Sequence, residues 1–215
     1  MKRTIFSLGM LLCSLLIVQA QENAPKTLFG SGDGDTAIGF YIAPGYQLTG
    51  AGGQTVHSLQ GSAGMIFNKR FSLGAAFFAS VNEFTPEMEM DDRLYLDLRY
   101  GGLRAEYILN PDKLVHFSFP LIIGGGEASM DYKGAFDLED DFWGEDYFFF
   151  VEPGVQAEVN LIKYARLFAG VSYRFTSGLD YEYRNPANEL VKLQSSDING
   201  LALNLGIRFG IFNKH

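Results

Sequence analysis

His116 and Ser118 stand two residues apart in His116-Phe117-Ser118. On an extended strand that spacing puts both side chains on one face. A histidine beside a serine is the nucleus of a hydrolase, provided that a carboxylate orients the imidazole. The same spacing suits two polar side chains that merely fill an interior. A second chemistry is offered by Ser129-Asp146 (129–146), where Asp131, Asp137, Glu139, Asp140, Asp141, Glu145 and Asp146 stand with Phe136, Phe142 and Trp143. Hard oxygen donors of this kind suit a divalent cation, calcium or magnesium. The spacing is not that of an EF-hand, and Asp33-Gly34-Asp35 is too short to form a site. Read otherwise, the segment is a solvated loop or a patch for a surface partner, since exposed aromatics anchor interfaces. Gly30-Ser31-Gly32-Asp33-Gly34 lacks the Gly-Lys-Ser/Thr ending of a phosphate loop. Eight more charged residues, Asp97, Arg99, Arg104, Glu106, Glu152, Glu158, Arg174 and Arg208, interrupt apolar alternating segments. Enclosed in one interior, these four carboxylates and four guanidinium groups must pair. Such a set either plugs that interior with ion pairs or lines an ion or proton path. No cofactor is expected.

The N-terminus reads as an export signal. Lys2 and Arg3 precede an apolar run from Ile5 to Val18, and Val18-Gln19-Ala20 supplies small residues for cleavage. Residues 1–20 are therefore expected to be removed, and 21–35 to form a flexible segment. Cys13 is the single cysteine and falls inside the apolar run. Leu12 before it and Leu15, Leu16 and Ile17 after it do not fit a lipoprotein signal. The mature chain then has no disulfide, no Cys-ligated zinc and no cysteine nucleophile. Removal of Lys2 and Arg3 deepens a formal charge that is already -8. A nucleic-acid partner is not expected, because phosphate contacts need a basic face.

The elements that must position these residues are strands. Beyond the leader no run of about 18 apolar residues suggests a spanning helix; the recurrent signal is alternation with a period of two. Leu201-Phe212 places Leu201, Leu203, Leu205, Ile207, Phe209 and Ile211 on one face and Asn204, Gly206, Arg208 and Gly210 on the other. Phe149-Leu161 and Leu167-Phe175 alternate as clearly. Five further strands are read over Thr36-Leu48, Thr55-Phe67, Phe71-Asn82, Arg93-Tyr107 and Leu114-Ala128. In Arg93-Tyr107 the polar phase slips, with Asp97 and Arg99 odd but Arg104 and Glu106 even. A bulge at Gly101-Gly102 would return all four to one face. Pro120 and Pro153 count against regular interior strands, and a local bulge is one way to accommodate each. Short connections at Asn68-Arg70, Asn110-Lys113 and Ile162-Ala165 alternate with long ones at Thr85-Asp92, Ser129-Asp146 and Glu182-Ser196. Gly50-Gly53 is the short member of the second set. The fold class expected is all-β: an eight-stranded antiparallel up-and-down transmembrane β-barrel over 36–212, with short turns in the periplasm and longer loops outside.

Alternation alone does not say which face is out, and a soluble barrel would bury the apolar one. Lysine placement points the other way. Lys26, Lys69, Lys113, Lys133, Lys163, Lys192 and Lys214 all fall in termini, turns or loops, so the polar strand faces carry what a crowded interior accepts. Tyr147-Phe150, Tyr181 and Tyr183 sit near strand ends, where interfacial aromatic girdles form. Asn204-Leu205-Gly206-Ile207-Arg208-Phe209-Gly210-Ile211 resembles the insertion signal of outer-membrane proteins, with Asn204, Gly206, Phe209 and Ile211 in the signal positions. Phe212 is followed by Asn213-Lys214-His215 where such signals usually stop. Tyr100-Gly101-Gly102-Leu103, Asn110-Pro111-Asp112-Lys113, Gly124-Gly125-Gly126 and Glu152-Pro153-Gly154 resemble pieces of the small OmpA/OmpX-like barrels of the Bacteroidota type. That resemblance implies a bacterial outer-membrane location, with membrane lipid and the barrel-assembly machinery as partners, and carries no chemistry. His116-Phe117-Ser118 resembles the His-x-Ser of outer-membrane lipid A deacylases, which act at the outer leaflet. Here the pair follows a periplasmic turn and points inward, so it is read as interior. The function expected is a non-enzymatic barrel displaying surface loops in a structural, adhesive or envelope-integrity role. A lipid-modifying enzyme, or a small-ligand carrier or narrow channel, are the alternatives.

Overall fold

The computed structural model describes residues 37–87, 89–91, 93–132, 145–184, 188 and 190–212. The expected leader 1–20 and the segment 21–35 lie outside the described residues, as do 133–144 of the acidic segment. Eight strands close into a barrel: β1 (Ile38–Ala51), β2 (Gln54–Phe67), β3 (Phe71–Ser80), β4 (Leu94–Leu109), β5 (Val115–Tyr132), β6 (Glu145–Ile162), β7 (Ala165–Ser177) and β10 (Gly200–Gly210). Every pairing is antiparallel, and β10 returns to β1 to complete the ring. Closure leaves no unpaired strand edge. Between β7 and β10 the chain forms a separate hairpin, β8 (Asp180–Arg184) with β9 (Leu190–Gln194), and one helical turn, α1 (Ser195–Ile198).

Burial follows the two-residue period around the ring, with odd positions inward in β1 and even positions inward in the other seven barrel strands. Along β10 and the residue after it, Leu201, Leu203, Leu205, Ile207, Phe209 and Ile211 are 37–61 % exposed, whereas Asn204 and Arg208 are buried. The outer surface is apolar on the other strands too, with Phe40, Ile42, Leu59, Phe77, Leu103, Val155 and Phe175 among its exposed side chains. A barrel with guanidinium groups inside and leucine outside is built for an apolar solvent.

The end where β1 begins and β10 finishes carries the short turns, and the opposite end carries the longer connections. At the loop end, β1 and β2 meet in a two-residue hairpin. Gly52 and Gly53 have φ of 55° and 78°, the left-handed pair that such a turn needs. Two expectations are corrected here, and a third is extended. The register of β4 with β3 and β5 is unbroken through Gly101-Gly102, so no bulge exists there. The register shift falls instead between Asn160 and Ile162. Register is likewise unbroken past Pro120 and Pro153, where a few pairs are missing but the strands resume in phase. A proline lacks only its own N–H, so it interrupts one ladder bond without an inserted residue. Finally, the long connection Glu182-Ser196 has strands of its own, with all of β9, most of β8 and the first half of α1.

Candidate functional site

The lumen is the candidate site, and it is organised in three layers. At the turn end lies a charged cluster. Glu106 on β4 accepts hydrogen bonds from Arg104 Nη2 at 3.0 Å and from Arg208 Nη2, which reaches both its oxygens at 3.0 and 2.9 Å. Arg208 on β10 also places Nη1 2.9 Å from Glu158 Oε1. Glu158 on β6 accepts Ser118 Oγ at 3.0 Å and lies 3.2 Å from His116 Nε2. Arg104 donates to Gln156 Oε1 at 3.1 Å. All of these side chains are buried. Guanidinium planes also lie over aromatic rings, Arg208 over Tyr41 at 4.6 Å and Arg166 over Phe212 at 3.8 Å. Such stacking adds electrostatic attraction from the ring face.

The middle layer is a hydrogen-bonded ring of mostly neutral groups. Tyr100 donates to Gln47 Oε1 at 2.5 Å. Gln47 Nε2 in turn donates to Glu152 Oε1 at 2.9 Å and Asn204 Oδ1 at 3.0 Å. Ser172 Oγ donates to the same Glu152 oxygen at 2.6 Å, and Asn204 Nδ2 donates to Ser172 at 2.9 Å. Arg174 stands over Tyr100 at 4.8 Å and donates Nε and Nη2 to the Ile198 carbonyl at 3.0 and 2.8 Å. It thereby caps α1 with a cation, where the exposed carbonyl end of a helix favours one. Glu152 and Arg174 stand on neighbouring strands, β6 and β7, but turn to different partners.

The loop-end layer is apolar. Phe78 stacks on Tyr100 at 4.7 Å, and Phe150 meets the same ring edge-on at 5.0 Å. Leu96, Leu98, Ile122, Met130 and Phe148 fill the space around them. The β8–β9 hairpin continues this core, with Tyr181, Tyr183, Val191 and Leu193 buried in the same cluster. Tyr181 and Tyr183 stack on each other, and Tyr183 hydrogen-bonds the Glu89 carboxylate. Burial pushes the Tyr181 phenol up to about 12. Tyr183 is raised by burial and, in addition, by its bond to Glu89. These two tyrosines thus belong to a cap, not to an interfacial girdle. Tyr147 and Phe149 do face outward, but Phe148 and Phe150 fill the lumen.

The expected interior set divides. Arg104, Glu106, Glu158 and Arg208 meet in the charged cluster, while Glu152 and Arg174 belong to the middle layer. Asp97 and Arg99 are corrected: without a bulge their odd positions lie on the outer face. Arg99 is 59 % exposed in its side chain and pairs with Asp97 at 2.7 Å, and Asp97 also accepts Ser80 Oγ at 2.7 Å. Arg166, not among the expected residues, is luminal. It stands one residue before the expected start of its strand and shares the even parity of Arg174. In the expected insertion signal Asn204 is luminal, and Phe209 and Ile211 face outward. Gly206 is needed because a Cβ there would lie 2.5 Å from the Phe168 ring and 2.5 Å from the Pro44 carbonyl. Of the acidic segment, β5 and β6 extend over its two ends, and Asp146 accepts the Asp180 amide at 2.9 Å. The residues that would make it a cation site are mostly outside the described ones. Among the described residues, no three His, Cys, Asp or Glu side chains gather as a metal site.

His116, Ser118 and Glu158 do meet, but not as a nucleophilic relay. Both His116 and Ser118 contact the carboxylate, and no Ser118–His116 bond is formed. A serine that donates to a buried glutamate is held, not activated, since its proton has no imidazole to leave for.

On the outer wall near the loop end, a groove of about 470 Å³ runs over Gly101 and Gly125, flanked by Phe77, Arg99, Glu127 and Tyr147. A smaller polar cavity of about 210 Å³ lies at the turn end, against Arg166 and Phe212.

No family model matches the chain, and no curated protein matches it either. The fold is that of small outer-membrane barrels. The crystal structure of neisserial surface protein A is similar with a TM-score of 0.53 at 16% identity, over 82% of this chain and 99% of that one. The outer membrane protein OprG from Pseudomonas aeruginosa gives 0.52 at 11% identity, over 82% and 97%. A major outer membrane protein from Thermus thermophilus gives 0.50 at 12% identity, over 81% and 99%.

Proposed function

We propose that the protein is a sealed, non-enzymatic barrel of the bacterial outer membrane that holds an ordered cap at the cell surface, in a structural, adhesive or envelope-integrity role. The observation that carries this reading is the filled lumen. Ion-paired, hydrogen-bonded and apolar layers succeed one another along the axis, while the outer wall is apolar. An eight-strand barrel is only wide enough for side chains or one small ligand, and here side chains occupy that width. The likeness to outer-membrane barrels supports export through the 1–20 segment and insertion by the assembly machinery. Tyr100-Gly101-Gly102-Leu103 and the other short pieces support a Bacteroidota-type barrel. The Ser118–Glu158–His116 arrangement, enclosed in the lumen and unactivated, favours a non-enzymatic role over lipid modification. The 129–146 segment, with its aromatic and acidic residues, remains the candidate surface for a partner or a divalent cation.

Planar-bilayer recording of the refolded protein tests the sealed barrel. The expected record is a quiet baseline. Large, stable single-channel steps would overturn the reading in favour of a channel.

A further inference from the structure

We propose that the turn-end mouth of the barrel binds a small oxyanion, a phosphate or a group of the same chemistry, on the guanidinium of Arg166. Four arginines are buried in the lumen, Arg104, Arg166, Arg174 and Arg208, against three carboxylates, Glu106, Glu152 and Glu158. Counting arginines against carboxylates, one positive charge is left over among the described luminal residues. It is left in the turn-end layer, where Arg104, Arg166 and Arg208 face only Glu106 and Glu158.

Geometry assigns that excess to Arg166. Both oxygens of Glu106 are taken by Arg208, one of them also by Arg104, and Glu158 receives Arg208, Ser118 and His116. Arg166 is 3 % exposed, yet its Nε and Nη1 have no hydrogen-bond partner. The carboxylate within reach, Glu158, stands 3.6 Å from Nη1, beyond a hydrogen bond. Stacking on Phe212 compensates the charge in part but satisfies no N–H donor. A buried cation in this state is costly, and its fork of donors matches the oxygens of a phosphate or carboxylate.

The space for such a ligand is present. Arg166 and Phe212 border the polar cavity of about 210 Å³, which Pro111, Asp112, Asn160, Ile162 and Lys163 complete. That is several times the roughly 30 Å³ share of a water molecule. Lys163 adds a second cation to the wall. Asp112 is the opposing charge, but its carboxylate is engaged by Lys69 at 3.0 Å. Asn160 donates its amide to the Pro111 and Lys113 carbonyls at 3.1 and 2.7 Å, which fixes that wall of the cavity. The result is a recess, net-positive among its described lining residues, with the Arg166 guanidinium on its inner side and two of that group's nitrogens without a hydrogen-bond partner. In the orientation proposed above it opens to the periplasm, where a free oxyanion or a phospholipid headgroup of the inner leaflet supplies the same chemistry.

The test is thermal unfolding of the whole protein in an uncharged, lipid-free detergent. Inorganic phosphate is titrated against chloride at equal ionic strength. A site of this kind raises the unfolding temperature by about 2–4 °C and saturates, because the ligand binds the folded state alone. Arg166→Gln should abolish the rise. Lys163→Gln, an exposed turn substitution that leaves the barrel packing intact, should weaken the apparent phosphate affinity several-fold. Repeating the titration in phosphatidylethanolamine vesicles separates the sources. A rise that persists there marks a free oxyanion, and one that disappears there marks a lipid phosphate already in place. No phosphate-specific rise in detergent would overturn the proposal, as would an equal rise in wild type and Lys163→Gln. Failure of Arg166→Gln to fold leaves the Lys163→Gln comparison decisive. A conducting barrel would overturn the sealed-lumen reading without touching this result.

Discussion

Glu106 holds two guanidinium groups with one carboxylate, and neither oxygen reaches water. Replacing it by glutamine would leave Arg104 and Arg208 buried without their common anion. We expect Glu106→Gln to destabilise the barrel by about 3–5 kcal/mol, the range for breaking a buried ion pair. Arg99→Gln should cost no more than about 1 kcal/mol, because its ion pair with Asp97 lies on the outer face with Arg99 largely exposed. Chemical unfolding of the two variants side by side checks the ordering. Equal costs would return Arg99 to the lumen. The difference was not legible from residue type, since Arg99 and Arg104 each stand two residues from a carboxylate on β4. It depends on whether Gly101-Gly102 adds a residue to the ladder, and only the register answers that.

Strand β10 carries both faces of the argument in consecutive residues. Leu205 is exposed on the outer wall, whereas Asn204 joins Gln47 to Ser172 inside. An arginine at a lipid-facing midplane position costs roughly 2–4 kcal/mol. Leu205→Arg should therefore lower the folded fraction in membranes more than Asn204→Ala, which removes neutral hydrogen bonds worth about 1 kcal/mol each. Equal tolerance would show that the wall does not face lipid. The β8–β9 hairpin makes a different prediction, set by pH. Tyr181 and Tyr183 both titrate above the ordinary 10.0 of a phenol. A raised value means that their contribution to the cap is complete below pH 10 and is lost as pH climbs through the folded-state values, near 12 for Tyr181. Tyrosinate absorbance should show a late-ionising class accompanied by loosening of the cap, and Tyr183→Phe should remove one member of it. Ionisation of all tyrosines together near 10 would mean that the hairpin is not packed. Its period-two pattern is present in Tyr181, Tyr183, Val191 and Leu193, but in sequence a short hairpin between two barrel strands is indistinguishable from a long connection.

For the molecule as a whole, closure of β1 on β10 makes unfolding cooperative around a ring, and the apolar wall demands an apolar solvent. The refolded protein should show β-type circular dichroism in detergent and a gel mobility that changes on heating, as the closed barrel opens only when hot. A monomer that remains in solution without detergent, and elutes unchanged when detergent is added, would refute the membrane barrel. The charge excess also belongs to this scale. An interior read as balanced, four against four, becomes four arginines against three carboxylates once Asp97 and Arg99 move outside and Arg166 moves in.

Alternation of apolar and polar residues, with lysine absent from the alternating barrel segments, was enough to determine an inside-out barrel, its strand count and the outward face of each clear strand. Those properties are local, because a two-residue period assigns every side chain to a face without reference to its neighbours. The pairing of charges was not local. Glu106 with Arg208 spans 102 residues and Gln47 with Glu152 spans 105. Each such contact depends on the register of strands around the ring. Register also decided that Glu152 and Arg174 part company, that His116 and Ser118 share one carboxylate, and that Arg166 is left beside a cavity. Where the two-residue period is unbroken, a sequence states which face a side chain occupies; which partner it finds across a closed lumen is fixed only when all eight strands are in place.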